Sequence, residues 1–372
     1  MLSKNIQFFF CILQLAVGKH LAKTIHIKIN DWYSIYDIAV KQSLIGVMME
    51  GIQKLSEIDR NQKPPFNLLC EWIGLAEQIK LQNKLMDEKS AMLTRILNSW
   101  GYDSCILKGQ GVARLYSNPV SRQFGDIDIW VKDNKNDKIS EVRDSIVGKI
   151  RAKDIEVTAV NYVNCHAGFF DDTIVEVHFR PTWFYNPFVN RKLQKWIQKS
   201  KKIQMKEFDS EVGFGYPTIA FNLVFSLLHI YKHVFEEGIG LRQLTDYYFI
   251  LTHSTDVERS EAYDTLKSFG VGKFAASIMH IMRRVFNIDE SLILCKPNAE
   301  EGQFLLSEIM RGGNFGRYDD RNEYFPVDNK IQRGFLNTKR NLCYLKHYPS
   351  EVLWMPLWKM WHWCWRKSKR YL

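Results

Sequence analysis

Two acids set the chemistry open to this chain. In Arg122-Gln-Phe-Gly-Asp-Ile-Asp-Ile-Trp-Val131 a single residue separates Asp126 from Asp128, and the alternating Ile127, Ile129 and Val131 read as a strand. Side chains alternate along a strand, so the two carboxylates share one face and the apolar set faces the core. Like charges side by side repel unless a cation or a shared proton lies between them, and a hard divalent ion suits carboxylate oxygens. A third acid follows in Asp171-Asp-Thr-Ile-Val-Glu-Val-His-Phe179, where Ile174, Glu176 and His178 share one face and Val175, Val177 and Phe179 the other. Glu176 among such neighbours calls for an Arg, a Lys or a metal as partner, or else for an edge strand with one solvated face. His178, two residues on, either meets a ligand or is a satisfied structural histidine.

Upstream of the acids, Tyr102 to Leu107 reads as a short strand running into Lys108-Gly109-Gln110-Gly111, with a helix stub to Tyr116. A glycine turn that opens a helix leaves backbone N–H groups free for phosphate oxygens, and Lys108 adds positive charge; a plain tight turn is the other reading. Arg122 is a second cation placed to meet phosphate.

These residues need elements to hold them. Residues 1–100 read as helices: an apolar run from Phe8 to Val17, helical spacing from Trp32 to Leu55, a break at Pro64-Pro65, and a further helix from Phe66 to Leu97. The first run has the length of a signal-peptide apolar core, but no small-x-small site follows and His20, Lys23 and His26 come directly after, so a buried helix is expected. Residues 101–185 carry the strand pattern, with a helix from Ile139 to Ile150 and a strand from Ile155 to Val163. Residues 186–372 return to helices, including Phe221 to Phe235, Leu241 to Leu251 and Ala275 to Phe286. Arg242 and Asp246 stand at i,i+4, which reads as a surface ion pair or as a pocket contribution. Arg311-Gly-Gly-Asn-Phe-Gly316 lacks phosphate-loop spacing and reads as a structural turn. Trp354, Trp358, Trp361 and Trp365 form one stripe beside a basic end at Arg366, Lys367, Lys369 and Arg370. Docking on the protein is expected for it, with peripheral membrane contact as the alternative.

Strands held between two helical regions read as an α+β fold, and the composition fits globular cores: 372 residues, 46% hydrophobic and 25% charged, neither disordered nor fibrous. A net charge of +10 suits phosphate-bearing ligands and ordinary solubility alike. Lys192, Lys195, Lys199, Lys201 and Lys202 concentrate part of it. Seven scattered cysteines without a C-x-x-C fit a reduced, cytoplasmic setting.

Gly109-Gln110, then Gly125-Asp126-Ile127-Asp128, then Glu176 on a later strand resembles the nucleotidyltransferase superfamily that includes DNA polymerase β. More narrowly, Leu107-Lys-Gly109, Arg122-x-x-Gly-Asp-Ile-Asp128 and Val175-Glu-Val-His178 resemble the uncharacterised bacterial nucleotidyltransferase family. The resemblance implies a small mixed β-sheet core between N-terminal and C-terminal helical regions. It implies that Asp126, Asp128 and Glu176 hold Mg²⁺ or Mn²⁺, with Glu176 as ligand or base. It also implies that Gly109 and Gln110, where the superfamily has Gly-Ser, lie against the phosphates of an NTP, and it places Gly125 beside the acids. The implied activity is transfer of a nucleoside monophosphate from an NTP to an unidentified hydroxyl acceptor, a small molecule, protein or RNA, with release of pyrophosphate. Two alternatives stay open: a sugar-nucleotide glycosyltransferase using the D-x-D pair, and a non-catalytic scaffold that keeps the fold.

Overall fold

The computed structural model describes residues 3–19, 31–319, 321, 340–369 and 371; His20, Lys23, His26 and Arg370 lie outside them. Four helices come first, α1 (Lys4–Ala16), α2 (Trp32–Lys41), α3 (Ile45–Ile58) and α4 (Phe66–Ser99). The middle of the chain runs β1 (Tyr102–Leu107), α5 (Gly109–Ala113), β2 (Ile127–Asp133), α6 (Ile139–Arg151), β3 (Val157–Val160), β4 (Asn164–Phe170) and β5 (Thr173–His178). Helices α7 (Pro187–Gln204), α8 (Ile219–Glu236), α9 (Leu241–Thr252), α10 (Asp256–Ser268), α11 (Gly272–Phe286), α12 (Ala299–Gly312) and α13 (Pro349–Ser368) follow. This is the expected α+β architecture, one mixed sheet flanked by helices.

The five strands lie in the order β1-β2-β5-β4-β3, with β2 and β5 parallel and the other neighbours antiparallel. Alternation divides the sheet. Ile127, Ile129, Val131, Val175 and Val177 face a core completed by the second half of α4 and by α6, while Leu107, Cys105 and Trp130 turn to the helical core. Asp128 shares the face of Trp130, so it points toward the helices. That helical core draws on both ends of the chain: Phe9, Ile12 and Leu13 of α1 join Phe274, Ile278 and Met282 of α11 in one buried cluster.

Several expected elements are redrawn. The pattern from Trp32 to Leu55 is two helices, broken at Ser43, whose φ is +54°. Tertiary bonds hold the break: the buried Gln42 donates from Nε2 to Ile309 O at 3.3 Å and accepts at Oε1 from Leu241 N at 2.8 Å. Strand β4 went unread, because Asn164–Phe170 lacks alternation, and Asp171-Asp172 form the β4–β5 turn instead of beginning a strand. Consequently β5 is interior, between β2 and β4, and the edge-strand reading of Glu176 fails. Helix α13 begins at Pro349, and Pro356 lies inside it.

The tryptophan stripe packs in part on the protein, with Trp361 still exposed. Trp358 stacks on Trp183 at 5.4 Å and meets Tyr185 at 5.5 Å, Trp361 meets Tyr162 at 5.5 Å, and the Arg143 guanidinium lies 5.2 Å from the centre of Trp365. Among the described residues, no helix is long and apolar enough to cross a membrane.

Candidate active site

Parallel pairing of β2 with β5 sets Asp128 opposite Glu176, and antiparallel pairing of β1 with β2 sets Asp128 opposite Leu107, the residue before Lys108. Register alone therefore brings one strand's acid, the next strand's acid and the turn lysine together. Asp128 is buried at 2% exposure, whereas Asp126, in the loop just before β2, is exposed. The Lys108 ammonium lies 2.8 Å from Asp128 Oδ1, and His178 Nε2 donates to the same oxygen at 2.9 Å. Nε2 also lies 3.3 Å from Glu176 Oε2, while Nδ1 donates to Arg180 O at 3.2 Å. Asn164 donates to Glu176, and His166 Nε2 is 3.3 Å from its other oxygen.

The carboxylates perturb one another as crowded charges must. The Asp128 charge, aided by poor hydration at the cleft floor and opposed by Lys108, raises Asp126 to about 6. Burial disfavours a charged Glu176, yet hydrogen bonding and charge from His178, with Lys108, hold it well below the usual carboxylate range. Burial also opposes the imidazolium of His178, but Asp128 and Glu176 prevail and lift it to about 9. Lys108 is raised in the same way, its burial outweighed by Asp128, Asp126 and Glu176. Three acids and two cations thus share one corner of the sheet. Ligand atoms of Asp128, Glu176 and His178 lie within 4.8 Å of one another, and the two carboxylates with Asp126 beside them form an oxygen-rich set that fits a divalent cation.

Lys108 itself has φ +51° and ψ −146°, a backbone region that non-glycine residues seldom occupy, and Gly109 follows at φ +41°. Strain of this kind gathers at functional sites. The turn directs the Lys108 side chain at the acids and starts α5, whose first amides have no acceptor within their own helix.

The acids lie in a cleft of about 1090 Å³ between the sheet and helices α8, α9 and α13. Lys108, Gly109, Arg122, Gly125, Asp126, Asp128 and Glu176 all line it; Gln110 does not. Gln110 is buried, with its amide donating to Asp87 Oδ1 at 2.7 Å and to Asn83 O at 3.3 Å, so its side chain anchors α5 to α4 and takes no place on phosphate. Arg122 is likewise committed. Its guanidinium forms a two-pronged pair with Asp246, Nε to Oδ1 at 2.7 Å and Nη2 to Oδ2 at 2.8 Å, and Tyr116 Oη donates to the same carboxylate at 2.6 Å. The expected use of Arg122 on the triphosphate thus gives way to a structural pair. Arg242 and Asp246 are both buried, which overturns the surface reading of that spacing. Arg242 donates instead to Phe124 O at 3.1 Å and lines the cleft, with its pKa brought down to about 10 by burial and by Arg122.

The apolar helix expected from Phe221 to Phe235 is α8, and polar residues that its apolar pattern does not single out reach the cleft. Ser226, His229, Lys232, His233 and Glu236 line the cleft along one side of an otherwise apolar helix. Burial and the charges of Lys108 and Lys232 keep both histidines well below their ordinary pKa, so they are neutral imidazoles at pH 7. The signal was present in the sequence as polar residues at i, i+3, i+6, i+7 and i+10 in a strongly apolar helix.

A family model described as uncharacterised nucleotidyltransferase matches residues 29–287, which take in the sheet, α8 and α9. Among solved structures, an antigenic nucleotidyltransferase-like protein from Paracoccidioides brasiliensis is similar at 13% identity and a TM-score of 0.36, over 58% of this chain and 96% of that one. No curated protein matches the chain. With the acids, the Lys108-Gly109 turn and helices α8 and α9 all inside the matched residues, the chain belongs to the uncharacterised nucleotidyltransferase family.

Proposed function

We propose that this protein transfers a nucleoside monophosphate from an NTP to a hydroxyl acceptor: the acceptor oxygen bonds to the α-phosphorus, the bond to the bridging oxygen breaks, and pyrophosphate leaves as the hydroxyl proton is released. The observation that carries this reading is the alignment of Asp128 with Glu176 on neighbouring parallel strands, beside Asp126 and the Lys108-Gly109 turn, at the floor of a cleft large enough for a nucleotide. Asp126, Asp128 and Glu176 would hold Mg²⁺ or Mn²⁺, which when bound neutralises charge on the phosphates and polarises the α-phosphorus. Lys108, next to the turn, binds phosphate oxygens. Arg242, Lys232 and the neutral His229 and His233 supply donors on the opposite wall. Glu176, kept charged by His178 and Lys108 and set opposite Asp128, serves as a ligand in this reading. Family membership favours nucleotidyl over glycosyl transfer.

A second reading, a non-catalytic scaffold, draws on one observation: Lys108 and His178 already neutralise Asp128 from within the chain. Titration with Mn²⁺, followed by thermal shift with each of the four NTPs and an assay of pyrophosphate release, tests both. Mn²⁺ binding with NTP-dependent stabilisation is expected; a protein that binds neither ion nor nucleotide would sink the enzymatic reading and leave the scaffold.

A further inference from the structure

Arg311-Gly-Gly-Asn-Phe-Gly316 lies past the end of the family match, and its spacing reads as a plain turn. In the fold it is wedged between the start of α9 and the end of α2. A Cβ on Gly313 would come within 2.8 Å of Lys41 O, and one on Gly316 within 2.1 Å of Glu237 O. Asn314 accepts from Gln243 Nε2 at 3.1 Å and donates to Ser43 Oγ at 2.9 Å. Between these anchors Phe315 has φ 56° and ψ 29°, a left-handed conformation that bulky side chains avoid. Such a conformation persists only where the surroundings over-determine it, and it concentrates at ligand clamps.

The strained residue presents an aromatic ring to the cleft. Phe315 is half-buried in the cleft wall, its ring centre 5.6 Å from that of His233 and 5.5 Å from the Arg242 guanidinium carbon. Arg242 in turn holds Phe124 O, two residues before Asp126, so one side chain separates the ring from the acids. Its companions on this wall are polar: Asn314, Arg317, Gln243 and Arg242. An apolar ring among donors, next to the acids, is suited to a ligand that is itself flat, aromatic and joined to anions.

We infer that Phe315 is the stacking platform for the nucleobase of the nucleotide, with Arg242 bridging from the ring to the acids; this rests on the nucleotidyl-transfer reading. Stacking reads the face of a base and not its edge, so discrimination among bases is weak and follows ring size, with ATP and GTP bound more tightly than CTP and UTP.

Calorimetric binding to the full chain, with Mg²⁺ and either α,β-methylene-ATP or inorganic tripolyphosphate, tests this. Phe315→Leu is expected to weaken the nucleotide by about tenfold and leave tripolyphosphate unchanged, whereas Phe315→Tyr keeps both. Phe315→Gly, which suits the left-handed backbone, serves as the second non-aromatic variant should Leu disturb folding, and is expected to lose the same affinity for nucleotide. Nucleotide affinity within twofold of wild type in the non-aromatic variants, or an equal loss for tripolyphosphate, overturns the inference. A wild type that binds tripolyphosphate but no nucleotide also overturns it. One that binds neither overturns the nucleotidyl-transfer reading, and this inference with it.

Discussion

Asp128 Oδ1 accepts from an ammonium at 2.8 Å and from an imidazole at 2.9 Å, so the most buried acid of the site is held between two cations. Replacing it by Asn removes the charge that lifts Asp126 to about 6 and, on the proposed function, a cation ligand. Residues that only orient a ligand cost about 10- to 100-fold when changed, so Asp128→Asn is expected to weaken Mn²⁺ binding by more than about 100-fold and to abolish NTP-dependent stabilisation. Unaltered Mn²⁺ binding in this variant would remove Asp128 from the ligand set. Away from the site, Glu351 at the start of α13 is buried and raised by that burial from 4.5 to about 7, against the pull of the backbone N–H groups of Tyr185 and Asn186. Between those two pH values the folded state keeps a proton that the unfolded chain has released. Stability contributed by the protonated group is therefore complete below pH 4.5 and is lost as pH rises through 7, by up to roughly 3 kcal/mol. Urea midpoints at pH 5 and pH 8 should show that loss in wild type and not in Glu351→Gln; parallel behaviour of the two would disprove it.

At the scale of elements, the site is a product of register and of one buried pair. Shifting β5 against β2 by one residue would turn Glu176 to the opposite face, into the core of Val175 and Val177. The loop before β2 carries Asp126 and is tied to α9 by Arg122 and Asp246, both under 10% exposed. Removing one member strands a buried charge, so Asp246→Asn is expected to cost about 3–5 kcal/mol, whereas the double change Arg122→Met with Asp246→Leu should recover much of it. Denaturant midpoints of the three variants decide; equal losses in the single and double variants would show that the pair is not what holds the loop. The basic run on α7 divides at this scale too. Lys192, Lys195, Lys199 and Lys202 are exposed, while Lys201 is buried and its pKa lowered by burial and by Lys132.

For the whole molecule, the helices of both ends close around one core and so fix the wall opposite the sheet. Leu13 of α1 is fully buried, and its neighbour Gln14 donates to Val285 O of α11 at 3.0 Å across 271 residues of chain. Leu13→Ala is expected to cost about 2–5 kcal/mol and, because α11 packs with α8, to lower the temperature at which NTP protection is lost. A midpoint within 0.5 kcal/mol of wild type would mean that α1 is not part of that core.

Local pattern in the sequence was enough for the D-x-D strand, the strand and turn at Tyr102 to Gly111, the long helix from Phe66 and the α+β architecture, because alternation and helical spacing are local consequences of which face is buried. Asp126, Asp128, Glu176 and Lys108 could be nominated from residue type and spacing for the same reason. Where the side chains of Gln110 and Arg122 would go was not legible, since their partners Asp87 and Asp246 lie 23 and 124 residues away. Nor could local pattern reveal β4, which pairs on both sides without alternating, or the polar stripe of α8, which acquires meaning only once the helix faces the acids. The turn at Phe315 is the sharpest case: its glycines look like a loop until tertiary packing against Lys41 and Glu237 forces an aromatic residue into a left-handed conformation at the cleft wall. Sequence by itself determined which residues could do phosphate chemistry and the local elements that carry them. Tertiary structure alone decided which of those side chains are free to do it, because long-range hydrogen bonds and close backbone contacts commit the rest.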